Sequence, residues 1–375
     1  MTKKNLLLIS LDCARADVIY TMKFPAVAEL VKDGAYFTNA ISSAPITPVS
    51  HATVLTGLQP YHHGIRHLFK EKLSRNVRTI QQVLRENGYA TGAIVSSPGL
   101  NRWYGFGRGF ETYDDEIPKL KDGSDPLKTV DVKLRGTALK PANVVSERAT
   151  AWLERHKDHS FGLFVHFFDA HWPYSAPDGF GGKNAYERSL GFVDHHLGMI
   201  IKELKALDIY KNTTIVCFSD HGEDLNGKYK NDKGGKRLGH PEEQGHGCLL
   251  YEPTQRVVLI IKDPAFPKGR KIESQVGLVD IFPTILDMLK LEHGRQHLDG
   301  ISLVSSAYKE PRIAYSETFY PEELDKRKPE FRNIAPKEGI RISNRYKVIF
   351  NIGPNTIELY DLKKDPYERH DLNSK

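Results

Sequence analysis

The sequence predicts an α/β protein: a doubly wound, mostly parallel sheet with helices on both faces, followed by a small C-terminal antiparallel β subdomain. Three observations carry this. Short apolar runs alternate with longer segments of helical period, the signature of βαβ units. After about residue 300 that rhythm gives way to short strand-like runs around turn residues. The chain, 375 residues with 39% AVILMFWYC, can bury a sizeable core. We therefore divide it into an α/β unit over 1–300 and an α+β subdomain over 301–375 packed on it.

The first run, Leu6-Leu7-Leu8-Ile9-Ser10-Leu11, lies in a strand over Asn5–Leu11. It stops at Asp12, is far shorter than the ~18 residues of a spanning helix and lacks a small-residue cleavage site, so it reads as a buried strand rather than a span or leader. Helical period then marks Pro25–Asp33, opened by proline, and Thr79–Asn87, opened by a Thr cap. Ala90–Val95 is the next buried strand. Ala142–His156, Phe161–Phe168, Ala185–Leu207, Thr213–Ser219, Val257–Lys262 and Val279–Leu289 continue the alternation. Beyond residue 300, Ala314–Thr318, Tyr346–Asn351 and Ile357–Leu362 read as strands around Gly353-Pro354-Asn355. Two polar segments, Pro118–Lys140 and Asn226–Gly245, interrupt the pattern; the second reads equally as a lid or a solvated loop.

A net charge of +6 is too small to imply a polyanion partner, so no nucleic acid is expected. The three cysteines, Cys13, Cys217 and Cys248, have no metal-like spacing and are odd in number, which points to a reducing, cytoplasmic setting without disulfides.

Ligands of doubly wound sheets gather outside the carboxyl ends of the strands. Asp12 follows the first strand, Asp169 with His171 follows Phe161–Phe168, and Asp220-His221 follows Thr213–Ser219. A single such Asp is commonly a cap, but three at equivalent positions, two with a nearby histidine, suit Zn²⁺ or Mn²⁺; Ca²⁺ and Mg²⁺ stay open. In Thr47-Pro48-Val49-Ser50-His51-Ala52-Thr53-Val54-Leu55-Thr56-Gly57, Pro48 and Gly57 bracket a helix and put the Thr47 hydroxyl at its N-terminus, where an anion is favoured.

In order along the chain, these segments resemble the sulfatase family of the alkaline phosphatase superfamily. The pieces are Asn5–Asp17 (NLLLISLDCARAD), Thr47–Gly57, Phe167–Tyr174 (FFDAHWPY), Asp194-His195-His196-Leu197-Gly198, Ser219-Asp220-His221-Gly222-Glu223, Gly245-His246-Gly247 and the tail Leu359–Pro366. The resemblance implies that Asp12, Asp220 and His221 bind a divalent metal and that Thr47 is both a ligand and the nucleophile. It implies that His171 and His246 meet the substrate anion or hold a second metal with Asp169, while Arg15 and His51 contact substrate or orient the nucleophile. Cys13 stands where sulfatases usually have a second Asp, so a hard ligand is missing. The sulfatase nucleophile is a Cys or Ser converted to formylglycine; Thr47 cannot yield that aldehyde. The expected activity is therefore hydrolysis of a small phosphate ester, monoester or diester, through a phospho-threonine. A sulfatase working without formylglycine and a phospho-group transferase are the alternatives. Arg66, His62, His63 and the pair His195-His196 read as structural or surface residues, and Cys217 and Cys248 as core.

Overall fold

Strand β1 (Asn5–Leu11) is buried along its whole length and sits in mid-sheet, because its near-continuous apolar run suits a strand covered on both faces. The structure, a computed structural model, describes residues 3–119, 123–124, 140–233, 245–294, 296–304, 310–324 and 334–374. The main sheet contains β1, β2 (Ala35–Ile41), β3 (Ala90–Ile94), β4 (Thr112–Asp114), β5 (Phe161–Phe167), β6 (Thr213–Phe218), β7 (Arg256–Val257), β8 (Leu259–Lys262) and β9 (Arg270–Gly277). From one edge the order runs β4-β3-β5-β1-β6-β8-β2, with β9 on the far side of β2. β1, β3, β4, β5 and β6 are mutually parallel along this path. β8 is antiparallel to β6 and β2, and β7, the other half of the run expected as Val257–Lys262, also pairs antiparallel with β2.

The two faces are read off β1 by parity. Leu6 and Leu8 pack under the helices Thr47–Thr56, Ile80–Glu86 and Ile281–Leu289, whereas Leu7, Ile9 and Leu11 pack under Pro25–Asp33, Ala142–His156 and Ala185–Ala206. The expected helices recur within two residues at each end. Strands β2, β4 and β9 were not foreseen, since AYFTNAI and RKIESQVG mix polar and apolar residues without a clean period.

The second sheet is an antiparallel meander of β10 (Ile313–Thr318), β11 (Lys337–Ile342), β12 (Tyr346–Asn351) and β13 (Thr356–Asp361). β11, KEGIRI, is the strand missed there, its alternation hidden by a glycine and charges. Ser316 Oγ donates to Ser42 O at 2.6 Å, Arg312 Nη1 lies 2.6 Å from Asp280 Oδ2, and Lys347 Nζ lies 3.2 Å from Glu252 Oε1; these join the meander to the main sheet.

His196 corrects the surface reading of His195-His196: it is buried, and its Nδ1 lies 2.9 Å from Ser146 Oγ on the neighbouring helix, while His195 is exposed. His63 is wholly buried, with Nε2 3.1 Å from Thr53 Oγ1, and Arg66 is bound to Glu317. Among the described residues no helix is long and apolar enough to cross a membrane, and all three cysteines are buried.

Candidate active site

The parity of the sheet assembles the site. On β1 the even-numbered residues face the Thr47–Thr56 helix, so Ser10 and Asp12 continue the row begun by Leu6 and Leu8. On β5 the same face carries Phe164 and His166, and on β6 Val216 and Phe218, with Asp220 just beyond the strand end. Three neighbouring parallel strands thus deliver Asp12, His166 and Asp220 to one point.

The helix Thr47–Thr56 brings its N-terminus there. Thr47 is its first residue, Pro48 follows without an N–H, and Gly57 closes it with a left-handed φ of 68°, which a glycine adopts without steric cost. Ser50 Oγ and Ser42 Oγ both donate to Asp220 O, at 2.7 and 2.5 Å, fixing the helix to the turn after β6. Thr47 Oγ1 then lies 3.2 Å from Asp12 Oδ2 and 3.4 Å from His221 Nε2.

The imidazoles are held by their far nitrogens. His221 Nδ1–H donates to Gly222 O at 2.9 Å, which leaves the Nε2 lone pair facing Thr47 and Asp220 Oδ2, the latter at 3.3 Å. Gly222 is required here, since a Cβ would stand 2.0 Å from Pro253 O. His171 Nδ1–H donates to Trp172 O at 2.6 Å and likewise leaves Nε2 free. His166 is oriented the opposite way: its Nδ1 accepts the Ser96 N–H at 3.3 Å, and Nε2–H donates to Asp12 Oδ2 at 3.0 Å. His246 returns to the site through the paired backbones of Asp224 and Gly245, its ring 4.2 Å from that of His221 and 5.0 Å from that of His171. His171 and His246 are only partly buried, so the cluster opens to solvent at them.

The electrostatics describe a site short of positive charge. Burial and then the charge of Asp12 push the Asp220 carboxyl up to about 8. Burial would raise Asp12 too, but the His166 hydrogen bond and the fields of His221 and His171 hold it well below the usual carboxylate range. Glu223, wholly buried, is pushed up to about 7 by burial, and His246 is pushed down to about 3 by burial and by His221. Asp220 Oδ2 is buried with no hydrogen-bond partner. An orphaned carboxylate oxygen beside a free imidazole lone pair and a hydroxyl fits a divalent cation, and Asp12, Asp220, His221 and Thr47 are the residues that could hold it.

Three expected substrate contacts take other places. Arg15 is wholly buried and turned away: its guanidinium binds Asp17 at 2.9 Å, Asn231 at 2.6 Å, Glu223 O at 2.8 Å and Asp232, and stacks on Tyr229. A cavity of about 700 Å³, lined by Asp17, Tyr229, Asn231, Arg256 and Arg341, opens beside these partners and contains no member of the cluster. Arg15→Met should leave the buried Asp232 uncompensated and lower stability by about 3 kcal/mol. A urea midpoint equal to that of wild type would show the pair to be dispensable. His51, on the same helix, is also buried; Nδ1–H donates to Thr47 O at 2.7 Å and Nε2 meets Ser10 Oγ at 2.8 Å, so both ring nitrogens are engaged between helix and sheet and steady the Thr47 backbone. Asp169 Oδ1 accepts the Ala142 N–H at 3.1 Å and so caps the helix Ala142–His156, while its buried Oδ2 has no hydrogen-bond partner among the described residues.

Cys13, rather than Asp169, stands between Asp12 and His246. Its Sγ is 3.0 Å from Asp12 Oδ1 and 3.6 Å from His246 Nδ1. Ligand atoms of Asp12, Cys13 and His221, and separately of Cys13, His171 and His246, lie within 4.8 Å of one another. Besides Cys13, the sequence reading missed His166, Glu223 and Tyr186, whose hydroxyl donates to Cys13 O at 2.7 Å and accepts the Arg15 N–H at 2.9 Å. A lone histidine in the apolar run Phe161–Phe168 was the available signal for His166. Most of both polar excursions, 125–139 and 234–244 among them, falls outside the described residues, including the centre of the expected lid.

The chain matches the sulfatase family model over residues 4–291 and the C-terminal model of N-sulphoglucosamine sulphohydrolase over 246–375. It is 22% identical to bovine (Bos taurus) arylsulfatase K over 431 residues, covering 94% of this chain and 74% of that one. It is also 22% identical to an N-acetylgalactosamine-6-O-sulfatase of Bacteroides thetaiotaomicron, covering 96% and 86%. Among solved structures, the phosphonate monoester hydrolase of Agrobacterium radiobacter superposes with a TM-score of 0.76 at 22% identity, covering 99% of this chain and 91% of that one. The strand-end carboxylates, the helix-borne Thr47 and the family match over most of the chain lead to one assignment: this chain belongs to the sulfatase family, ester hydrolases of the alkaline phosphatase superfamily.

Proposed function

We propose that the protein is a metal-dependent hydrolase of small phosphate esters, monoester or diester, working through a covalent phospho-Thr47. The observation that carries this reading is the Thr47 hydroxyl at a helix N-terminus, 3.2 Å from Asp12 Oδ2 and 3.4 Å from His221 Nε2. A divalent ion on Asp12, Asp220 and His221, Zn²⁺ or Mn²⁺ by its mixed carboxylate and imidazole donors, would lower the pKa of that hydroxyl and offset the charge of the arriving anion. Thr47 Oγ1 attacks phosphorus, the ester oxygen leaves with a proton, and water then cleaves the Thr47 O–P bond and restores the hydroxyl. Asp12, hydrogen-bonded to Oγ1, holds the nucleophile in line. His171 and His246, at the open side, meet the anion's oxygens. An odd number of cysteines, Cys13, Cys217 and Cys248, all buried and with no disulfide among the described residues, suits a reducing compartment such as the cytoplasm, and the partner is the small ester itself rather than a nucleic acid.

A sulfate ester is the second reading, favoured by relatives called sulfatases that align with 94–96% of the chain. The nucleophile argues for phosphate. A formylglycine hydrate expels sulfate by collapsing to an aldehyde, whereas a threonine ester can only be attacked again at the central atom, which phosphorus accepts readily. Matched aryl phosphate monoester, phosphate diester and sulfate, compared by kcat/KM with the metal held constant, should favour a phosphorus ester. A sulfate preference of about tenfold, or ~1.4 kcal/mol, would replace the first reading with the second.

A further inference from the structure

The cavity beside the Arg15 partners carries a charge imbalance that the active site does not use. Its volume of about 700 Å³ is in the range of small-molecule sites, and its lining comes from both the main sheet and the C-terminal meander. Arg256, the first residue of β7, lines it from the sheet, and Arg341, on β11, lines it from the meander. Lys183 and Lys230 stand exposed in the same lining.

The carboxylates of this cavity are already engaged. Asp17 takes the Arg15 guanidinium at 3.0 and 2.9 Å, and Glu187 accepts the Tyr229 hydroxyl at 2.8 Å and the Lys183 N–H at 2.6 Å. Glu252 lies 3.2 Å from Lys347 Nζ and 3.3 Å from Arg341 Nη2; burial would raise its carboxyl, but Arg341, Lys347 and Arg256 hold it down to about 2. The arginines, in contrast, keep unused donors. Arg341 is only 5% exposed, yet its Nε and Nη1 have no hydrogen-bond partner among the described residues. The Arg256 guanidinium makes no hydrogen bond or ion pair among them either. Leaving buried guanidinium donors unmet is costly, and the planar fork of an arginine takes the oxygens of a carboxylate or phosphoryl group in pairs. Val18, Met22, Leu362 and Pro366 add an apolar lining that suits the carbon body of such a ligand.

We propose that this cavity binds a small organic oxyanion, its carboxylate or phosphoryl end held by Arg256 and Arg341 and its carbon body against the apolar lining. The site forms only where the meander docks on the main sheet, and it includes none of Asp12, Thr47, Asp220, His221, His171 and His246. It is therefore a second ligand site, independent of ester hydrolysis.

Calorimetric titration of the full chain with benzoate and with phenylphosphonate tests this, with benzamide as the uncharged control. One of the two acids should bind saturably, one per chain, at least about tenfold more tightly than benzamide, and its identity fixes the head group. Its affinity should fall at least about tenfold in Arg256→Met and in Arg341→Met, and should be unchanged in Asp220→Asn. Arg256→Met breaks no ion pair among the described residues, so it decides the matter where Arg341→Met, which strips a partner from Glu252, folds poorly. No saturable binding of either acid, benzamide binding as tightly as the acids, or acid binding that survives Arg256→Met overturns the site. Binding lost in Asp220→Asn puts the anion in the active site and overturns it as well. None of these failures touches the phospho-Thr47 reading, which stands or falls on Thr47 itself.

Discussion

Thr47→Ala should lower kcat on an aryl phosphate by roughly 10⁴-fold or more, because deleting a nucleophile closes a pathway instead of weakening a contact. The fold should be indifferent. Among the described residues Thr47 Oγ1 makes only the 3.2 Å bond to Asp12 and the 3.4 Å approach to His221, while the helix is held by Ser50, His51 and a buried apolar face. Thr47→Ser keeps a hydroxyl at the same helix position and should retain activity within about 10–100-fold, the loss reflecting the extra rotamers of an unbranched side chain. Acid quenching during turnover should trap a phosphoryl group on the peptide containing Thr47, seen by mass spectrometry in wild type and absent from Thr47→Ala. Near-wild-type turnover by Thr47→Ala would make water the nucleophile and reduce the hydroxyl to a ligand.

That Thr47 could be singled out from sequence shows which kind of feature is legible there. Its position depends on local signals, Pro48 at the helix start and Gly57 at its end, and on a strand whose apolar run ends at Asp12. The parallel core was legible for the same reason, since strands buried on both faces are apolar throughout. What failed depended on partners remote in sequence. Asp169 looks like Asp12, a carboxylate one step past a buried strand, but the Ala142 N–H, 27 residues earlier, claims it as a cap. Arg15 follows the Asp12 strand end yet spends its guanidinium on Asp232, 217 residues on, inside a segment with no periodicity to announce its packing. His166 was hidden because one polar residue in an apolar strand reads as core until strand parity brings it beside Asp12. Cys13 reads from sequence only as the residue standing where an aspartate is usual, and its place beside the histidines depends on the approach of His246 across 233 residues.

Asp220→Asn should separate the needs of the site from those of the fold. In the metal-free protein the Asp220 carboxyl, pushed up to about 8 by burial and by Asp12, binds a proton that the unfolded chain, with an ordinary carboxylate, has already released. Between the ordinary value and about 8 the folded state therefore holds more protons than the unfolded one, and stability falls as pH rises through that window. Asparagine removes the liability with little change of shape. Its oxygen can still accept the Cys13 and His221 N–H groups, now met at 3.3 and 2.9 Å, and its NH₂ replaces the orphaned Oδ2 as a donor toward His221 Nε2, 3.3 Å away. At pH 8 the metal-free variant should melt a few degrees above metal-free wild type, the scale of about 1 kcal/mol in a chain of this size, and the difference should shrink toward pH 5. Added zinc should reverse the order. Wild type gains about 2.7 kcal/mol at a hundredfold excess over Kd, while the variant, lacking a charged ligand, gains far less and loses turnover. If Asp220→Asn is stabilised by zinc as strongly as wild type, the ion lies elsewhere and the strand-end carboxylates serve the fold alone. If the metal-free variant melts below wild type at pH 8, Asp220 is ionised and compensated in the folded protein, and the negative field ascribed to this cluster is wrong.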